Sequence, residues 1–284
     1  MRNFCIIANM DKANARSLSD RISDYLGKHG CRCRVLANEL KKENGRLYYT
    51  DSDSIPAETE CAIVLGGDGT MIRAAIDLAE KDIPLYGINL GGVGFLTESD
   101  TDSMWSDIDN LIQGRYRIEK RMMLKGIIKC GEKEYITNAL NDVVISKREF
   151  GKLICFEVCI NDTLLDTFMA DGMIISTPTG STGYNLSAGG PVMAPEMEAM
   201  VVTPVCPHSL NDRSFVISAD NRINIRLLAG KNTEEDRALI IADGRVITDI
   251  RNGDILYVEK EEIATNIVLM EKTNFYHKMR TKLN

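Results

Sequence analysis

The sequence predicts an α/β first half built on a parallel, Rossmann-like sheet, followed by a mainly antiparallel β second half. Three observations predict it. Up to about residue 100, short apolar runs alternate with segments of helical period. After Gly114, β-rich runs follow one another with turn signals between them. Two glycine-rich segments, Gly66-Gly67-Asp68-Gly69-Thr70 and Gly91-Gly92-Val93-Gly94, come directly after apolar runs. There the carboxyl ends of parallel strands bind ligands.

Phe4 to Ala8 reads as a first buried strand. A helix follows from about Lys12 to His29, with Leu18, Ile22, Tyr25 and Leu26 on one face. Cys31 to Ala37 is a second strand, and the polar stretch Asn38 to Glu60 a long surface loop. Cys61 to Leu65 is a strand buried on both faces, and Met71 to Glu80 a helix. Pro84 to Leu90 gives another strand. Ser103 to Gln113 is an amphipathic helix with Met104, Trp105, Ile108, Leu111 and Ile112 on one face, stopped by Gly114.

The β-rich runs are Arg121–Cys130, Glu134–Ser146, Leu153–Asn161, Leu164–Ala170, Met173–Thr177, Ser214–Ser218, Ile223–Leu228, Ala238–Ile250 and Ile255–Glu259. Asn161-Asp162, Asp243-Gly244 and Asn252-Gly253 are hairpin-type turns. The expected division is residues 1–100 for the α/β domain, 101–270 for the β-rich domain, and 271–284 for a segment packing back on the first. The last of these, Thr273 to Leu283, reads as a short helix.

Composition narrows the function classes. A hydrophobic content of 44% supports a real core, and 284 residues suffice for two domains. The net charge of −7, without a long Lys/Arg run, argues against nucleic acid or an anionic membrane as partner. No apolar stretch nears about 18 residues, so no transmembrane helix is expected. Asn9 and Asp11 cut off the apolar run Phe4–Ile7 too early for a signal peptide. Eight cysteines contain no Cys-x-x-Cys pair, and several lie in apolar runs as small hydrophobes. With three histidines, a zinc site is not expected. The expectation is a reduced, cytoplasmic protein. A polar site and exposed strand edges favour a homodimer or homotetramer.

The loop Gly66–Thr70 sits where a strand turns into a helix. Without Cβ atoms its backbone can approach a ligand, and N–H groups at the helix start favour an anion. Asp68 is the odd member, because a carboxylate repels phosphate. It fits either a metal-bound phosphate or a hydroxyl that attacks one. The alternative is an ordinary turn in which Asp68 caps the helix.

The second concentration of chemistry is Asp171 to Pro191. Ser176, Thr177, Thr179, Ser181, Thr182 and Ser187 offer hydroxyls to phosphate, ribose or base edges, and Tyr184 a ring for stacking. The alternative is a hydrophilic surface loop. Asn141-Asp142 interrupts an otherwise strand-like run, Ile136 to Ile145, so it either reads a nucleotide or forms a solvent-facing bulge. Asp243-Gly244 is explained by a hairpin alone, and Cys206-Pro207-His208 by a structural loop. No Gly-x-x-x-x-Gly-Lys-Ser/Thr loop and no protein-kinase loop motif occurs.

Gly66–Thr70, Asn141-Asp142, Asp171–Pro191 and Thr203–Leu210 together resemble the NAD kinase family, in its order and at its spacing, over most of the chain. Diacylglycerol and sphingosine kinase-like enzymes share the Gly-Gly-Asp-Gly-Thr loop, and the long Asp171–Pro191 segment separates the two. The resemblance implies a two-domain fold and transfer of the terminal phosphoryl group of ATP, with Mg²⁺ or another divalent cation, to the 2′-hydroxyl of the adenosine ribose of NAD. It implies that Asp68 accepts the hydroxyl proton, while Gly66, Gly67, Gly69 and Thr70 form the loop against the ligands. Phe95 packs near the adenine, Asn141 contacts it, and Asp142 contacts the ribose or diphosphate. Asp171 sits at the nicotinamide end. Thr179 and the stretch Thr182, Gly183, Tyr184, Asn185, Leu186 and Ser187 line the dinucleotide pocket. Arg73, Lys152, and Arg245 with its neighbour Asp243 are further candidate contacts. No protein residue is assigned as a metal ligand.

Four positions depart from the family pattern. Gly183 stands where alanine is frequent, Asp142 where glutamate is, Met169 where some relatives carry a basic residue, and Arg245 where glutamine is common. The alternatives from other classes are a lipid kinase sharing the glycine loop and a non-catalytic NAD(P) sensor.

Overall fold

The computed structural model describes every residue except 13, 38–40, 44–45, 92–93, 149–151, 210–212, 230–235, 272–273 and 283–284. The chain forms two compact units, Met1–Arg121 with Ala264–Asn284, and Met122–Ile263.

In the first unit the apolar runs become strands β1 (Asn3–Ala8), β2 (Arg32–Ala37), β5 (Cys61–Gly66) and β6 (Leu85–Asn89). They pair in parallel in the order β6-β5-β1-β2, with Ile6 opposite both Val35 and Ile63. Every residue from Cys61 to Leu65 is fully buried, which explains a run with no polar alternation. Helix α1 (Ala15–Lys28) lays Leu18, Ile22 and Leu26 into the same core. Helix α2 (Asp68–Leu78) starts three residues before the expected Met71, because Gly67 takes the N-cap position. The expected loop 38–60 contains a small ribbon, β3 (Lys41–Glu43) with β4 (Arg46–Tyr48), and a 3-10 turn at Ser52–Ser54.

The expected boundary near residue 100 falls elsewhere. Helix α3 (Met104–Gln113) belongs to the first unit, because Met104, Ile108 and Leu111 bury their side chains in the core that holds Phe4, Ile63 and Tyr86.

The second unit is built on antiparallel pairs. The hairpin β7 (Arg117–Cys130) and β8 (Lys133–Ala139) opens it, and β7 carries the chain out of the first unit. The run expected from Glu134 to Ser146 is two strands, β8 and β9 (Asp142–Lys147), broken at Leu140-Asn141. Next come β10 (Ile154–Ile160), β11 (Thr163–Ala170), β12 (Gly172–Ser176) and a short helix α4 (Tyr184–Ser187). Strand β13 (Ala199–Val205) lies between β12 and β14 (Phe215–Ser218) and has no counterpart among the expected strands. Its Pro204 is tolerated because pairing with β14 ends at Val202, leaving only β12 alongside. Strands β15 (Ile223–Leu228), β16 (Arg237–Ala242), β17 (Arg245–Arg251) and β18 (Ile255–Leu269) complete the count. One sheet runs β14-β13-β12-β9-β16-β17, and β11-β10-β15 pairs onto the first part of β18. Phe156, Phe168, Ile225 and Leu256 from the second sheet share one core with Val143, Ile145, Met173 and Ile240 from the first.

The hairpin turns have the backbone their residues favour. Asn161 and Asp162 both take positive φ, 46° and 63°, as do Asp243 and Gly244, 46° and 75°. Strand β18 runs ten residues past the expected Glu259, and its last part rejoins the first unit, where Ile267 pairs in parallel with Leu85. Helix α5 (Phe275–Lys282) follows in that unit. No helix among the described residues is long and apolar enough to cross a membrane.

Candidate active site

Two constellations stand out, one in each unit. In the first, β5 ends at Gly66 and α2 begins at Asp68, with the N–H groups of Thr70 and Met71 donating to the Gly67 carbonyl at 2.9 and 3.1 Å. Gly67, Asp68 and Gly69 reach solvent and Thr70 is buried. Asp68 does not occupy the cap position. Its carboxylate instead accepts hydrogen bonds from the backbone N–H groups of Phe95, at 2.6 Å, and Leu96, at 3.0 Å. Gly94 makes this approach feasible, since a Cβ there would stand 1.9 Å from Asp68 Oδ1.

Neighbouring groups hold the 95–98 stretch. Asn89 at the end of β6 donates from Nδ2 to Thr97 Oγ1 at 3.0 Å and accepts from the Gly91 N–H at 2.8 Å. From α5, Lys278 Nζ donates to the carbonyls of Phe95, at 3.3 Å, and Thr97, at 3.1 Å, and to the Glu98 carboxylate. Lys282 Nζ lies 3.9 Å from the centre of the Phe95 ring. Burial pushes the Lys282 ammonium down in pKa; the Asp68 charge pulls it up and Lys278 presses it down. Asn89, Lys278 and Lys282 were not among the expected site residues. Arg73 on α2 stacks its guanidinium on Tyr49, 4.0 Å from the ring centre, and Asp77 on the same helix accepts from the Tyr49 and Thr50 N–H groups.

In the second unit, the break between β8 and β9 is the centre. The Asp243 carboxylate accepts from three successive backbone N–H groups, those of Leu140, Asn141 and Asp142, at 2.7, 2.9 and 3.0 Å. The Asp243 N–H returns a bond to the Asp142 carbonyl at 3.0 Å. The interrupted strand is therefore a clamped turn rather than a solvent-facing bulge. From the 171–191 segment, Thr177 donates its N–H to the Asn141 carbonyl at 2.8 Å and its hydroxyl to the Leu140 carbonyl at 2.6 Å. Gly180 packs against the same turn so closely that a Cβ would lie 2.2 Å from the Asn141 oxygen. Thus Asn141 is fixed on its backbone side, while its side-chain Oδ1 is buried with no hydrogen-bond partner. Asp142 is also buried, and burial together with the nearby Asp243 carboxylate raises its pKa to about 7. Burial likewise pushes Asp243 up, against the three N–H groups and Arg245, which favour its anion.

The hydroxyls of the 171–191 segment do less toward a ligand than their density suggests. Ser176, Thr177 and Ser181 are buried and donate to backbone carbonyls, and Thr182 donates to the Thr179 carbonyl at 3.2 Å. Asn185 is wholly buried: its amide donates to the Ser181 and Pro191 carbonyls and accepts from Thr203 at 2.7 Å. These residues build the turn. Tyr184 and Ser187 are exposed, Gly183 and Leu186 half-buried, and Thr179 buried.

A cavity of about 190 Å³ is lined by Ser146, Lys147, Arg148, Asp171 and Tyr184, with apolar walls from Val144, Ile145 and Val205. Lys147 bonds Asp171 across it at 2.5 Å. Lys152 is exposed and does not line it. Arg245 donates to the Asn138 carbonyl at 3.3 Å, and its Nε is buried without a partner.

Comparison with known proteins bears on both constellations. Residues 4–116 match the family described as ATP-NAD kinase N-terminal domain, and residues 140–270 the ATP-NAD kinase C-terminal domain. The chain is 40% identical to the NAD kinase of Lachnoclostridium phytofermentans over 285 residues, 99% of each chain. It is 42% identical to that of Geobacter metallireducens, covering 93% of this chain and 98% of the other. Among solved structures it is similar to yeast NADH kinase complexed with NADH, with a TM-score of 0.84 and 22% identity over 100% of this chain and 87% of that one. It is also similar to an NAD kinase from Archaeoglobus fulgidus in complex with ATP, with a TM-score of 0.72 and 22% identity over 100% and 98% of the two chains.

Proposed function

The chain belongs to the ATP-NAD kinase family, and from that premise we propose that it transfers the terminal phosphoryl group of ATP to the 2′-hydroxyl of the adenosine ribose of NAD, giving NADP. The observation that carries the mechanism is the Asp68 carboxylate fixed by two backbone N–H groups at the start of α2. Phosphoryl transfer depends mostly on positioning and on neutralising charge. Asp68 accepts the proton of the attacking hydroxyl. A carboxylate is a weak base toward such a group, so the proton leaves late, in a loose transition state, and such help is worth roughly 10²–10⁴ in rate.

In this reading the loop Gly66–Thr70 receives phosphate, with Arg73 and Phe95 beside it. The dinucleotide is recognised by the second unit's residues. The unpartnered Asn141 Oδ1 supports adenine reading, because an exocyclic amine would satisfy it. Asp142, once ionised, accepts from a hydroxyl of the ligand. Tyr184 supplies a ring at the cavity, where Asp171 takes the nicotinamide end. Asp243 acts through the turn that it clamps. Thr179, Thr182, Gly183, Leu186 and Ser187 shape the pocket, Asn185 from within, while Lys152 and Arg245 are peripheral.

Among the described residues, no group of three or more His, Cys, Asp or Glu converges as a metal cage. No residue of this chain is assigned to hold the divalent cation, such as Mg²⁺, which would come with the triphosphate. When bound, it neutralises phosphate charge. The lipid-kinase alternative is not favoured, since the family match extends through residues 140–270, beyond the shared glycine loop. A cytoplasmic homo-oligomer completes the proposal. Eight free thiols support a reducing compartment, and the exposed apolar side chains of Ile136 and Val246, at 58% and 60%, support self-association.

The test is purified protein with Mg-ATP and NAD, the product read by an NADP-specific dehydrogenase. Formation of NADP by the wild type and its collapse in Asp68→Asn are expected. No NADP from the wild type would refute the reading.

A further inference from the structure

Two lysines of the C-terminal helix lie on the residue that orients Asp68. Lys278 and Lys282 are one helical turn apart in α5, so both side chains leave the same face. Lys278 binds the carbonyl of Phe95 and that of Thr97, and Lys282 covers the Phe95 ring. The N–H group of that same Phe95, with that of Leu96, grips the Asp68 carboxylate. Lys278 is firmly placed: its ammonium is largely buried and paired with Glu98, whose side chain is 0% exposed. A pairing so buried is not a surface ion pair, and it ties a distant helix to one short stretch of backbone.

We infer that Lys278 is a positioning residue for phosphoryl transfer, holding residues 95–98 so that their N–H groups aim the Asp68 carboxylate, with Lys282 as a second hold on Phe95. The inference rests on the reading of Asp68 as proton acceptor. A free carboxylate at a helix start rotates about its χ angles. Two N–H donors fix its plane only if the backbone carrying them is itself fixed. Gly94 precedes the pair and is flexible by nature, so rigidity must come from the following residues. Among the described contacts, Asn89 holds Thr97 from one side, the Gly87 carbonyl of β6 accepts from the Glu98 N–H at 2.9 Å, and Lys278 holds Phe95, Thr97 and Glu98 from the other side.

Removing Lys278 alone would strand the Glu98 charge, so the test removes both, in Lys278→Met/Glu98→Gln. Turnover, the KM values for NAD and Mg-ATP, and thermal melting are measured beside the wild type. A loosened carboxylate should lower kcat by about 10–100-fold with both KM values within about threefold. Lys278→Arg, whose guanidinium can still serve both carbonyls, should keep more than about a third of wild-type kcat. A kcat fall of less than about fivefold in the double variant overturns the inference, as does a loss carried by KM, or an equally deep loss in Lys278→Arg. If the double variant shows no cooperative melting, Lys282→Met decides. A kcat fall of at least about threefold at unchanged KM supports the inference, and a smaller one overturns it. Wild-type protein that makes no NADP refutes the activity itself. Active wild type with unaffected variants refutes only the role of α5.

Discussion

Asp68 in the first unit and Asp243 in the second are held by the same device, a carboxylate accepting from successive backbone N–H groups, two in one case and three in the other. Their surroundings differ. Asp68 sits half-buried in a glycine loop, with more lone pairs than its two N–H donors occupy. Asp243 stands at a hairpin turn with its oxygens directed into the chain, where a third N–H replaces any outside partner. The difference teaches that backbone N–H groups can either aim a carboxylate or retire it. What decides is whether a further acceptor site still faces outward.

The sharpest break of this comparison is Asp68→Asn. It should lower kcat by about 10²–10⁴-fold while NAD binding, read by calorimetry, persists. Near-normal turnover would put Asp68 in the same structural class as Asp243. Asp243→Ala should do the reverse. It strands three N–H groups and should cost about 2–5 kcal/mol in urea unfolding, with the catalytic defect expressed in KM for NAD. A variant of unchanged midpoint would mean that the clamp is redundant.

Two glycine substitutions sharpen the contrast. Gly94→Ala drives a methyl into Asp68 and should cost about 10–100-fold in kcat. Gly180→Ala drives one into the Asn141 carbonyl and should raise KM for NAD by about tenfold, kcat changing less. Parallel losses in kcat from both would dissolve the division between aiming and clamping.

The smallest effect is a pH dependence. Asp142 titrates at about 7, raised by burial first and by Asp243 second. Its anion therefore forms between pH 6 and 8, and KM for NAD should fall about tenfold over that range, a fall that Asp142→Asn abolishes. Without ligand the sign is opposite. The folded protein keeps a proton that the unfolded chain loses near pH 4. Stability from this group is thus complete below about pH 4 and is lost as pH rises through 7. Melting of the wild type against Asp142→Asn across pH 4–8 checks it.

The sequence made the β5–α2 turn legible, because an unbroken apolar run before three glycines has few other solutions. Asp68 was conspicuous there. What grips it was not, since the donors are backbone groups of Phe95 and Leu96, and an N–H group has no signature in the sequence. For the same reason the sequence offers Asp243 as a hairpin residue and candidate contact but not as a clamp. The hydroxyls of 171–191 are ambiguous in the sequence. Ser, Thr and Asn serve a buried turn as readily as a phosphate, and Ser181 and Asn185 satisfy backbone carbonyls instead. Lys278 and Lys282 were hidden because a short polar helix gives no hint of what it lies against.

The return of β18 to the first unit sets an order of manufacture. Ile267 is translated after the whole second unit has been synthesised, and until then β6 lacks the neighbour that meets it at Leu85. Val268 and Met270, which belong to the first unit's core, arrive equally late. The half of the chain begun first is therefore the half finished last, and a nascent chain halted before residue 264 would display an unsealed parallel sheet to the chaperones of the cell.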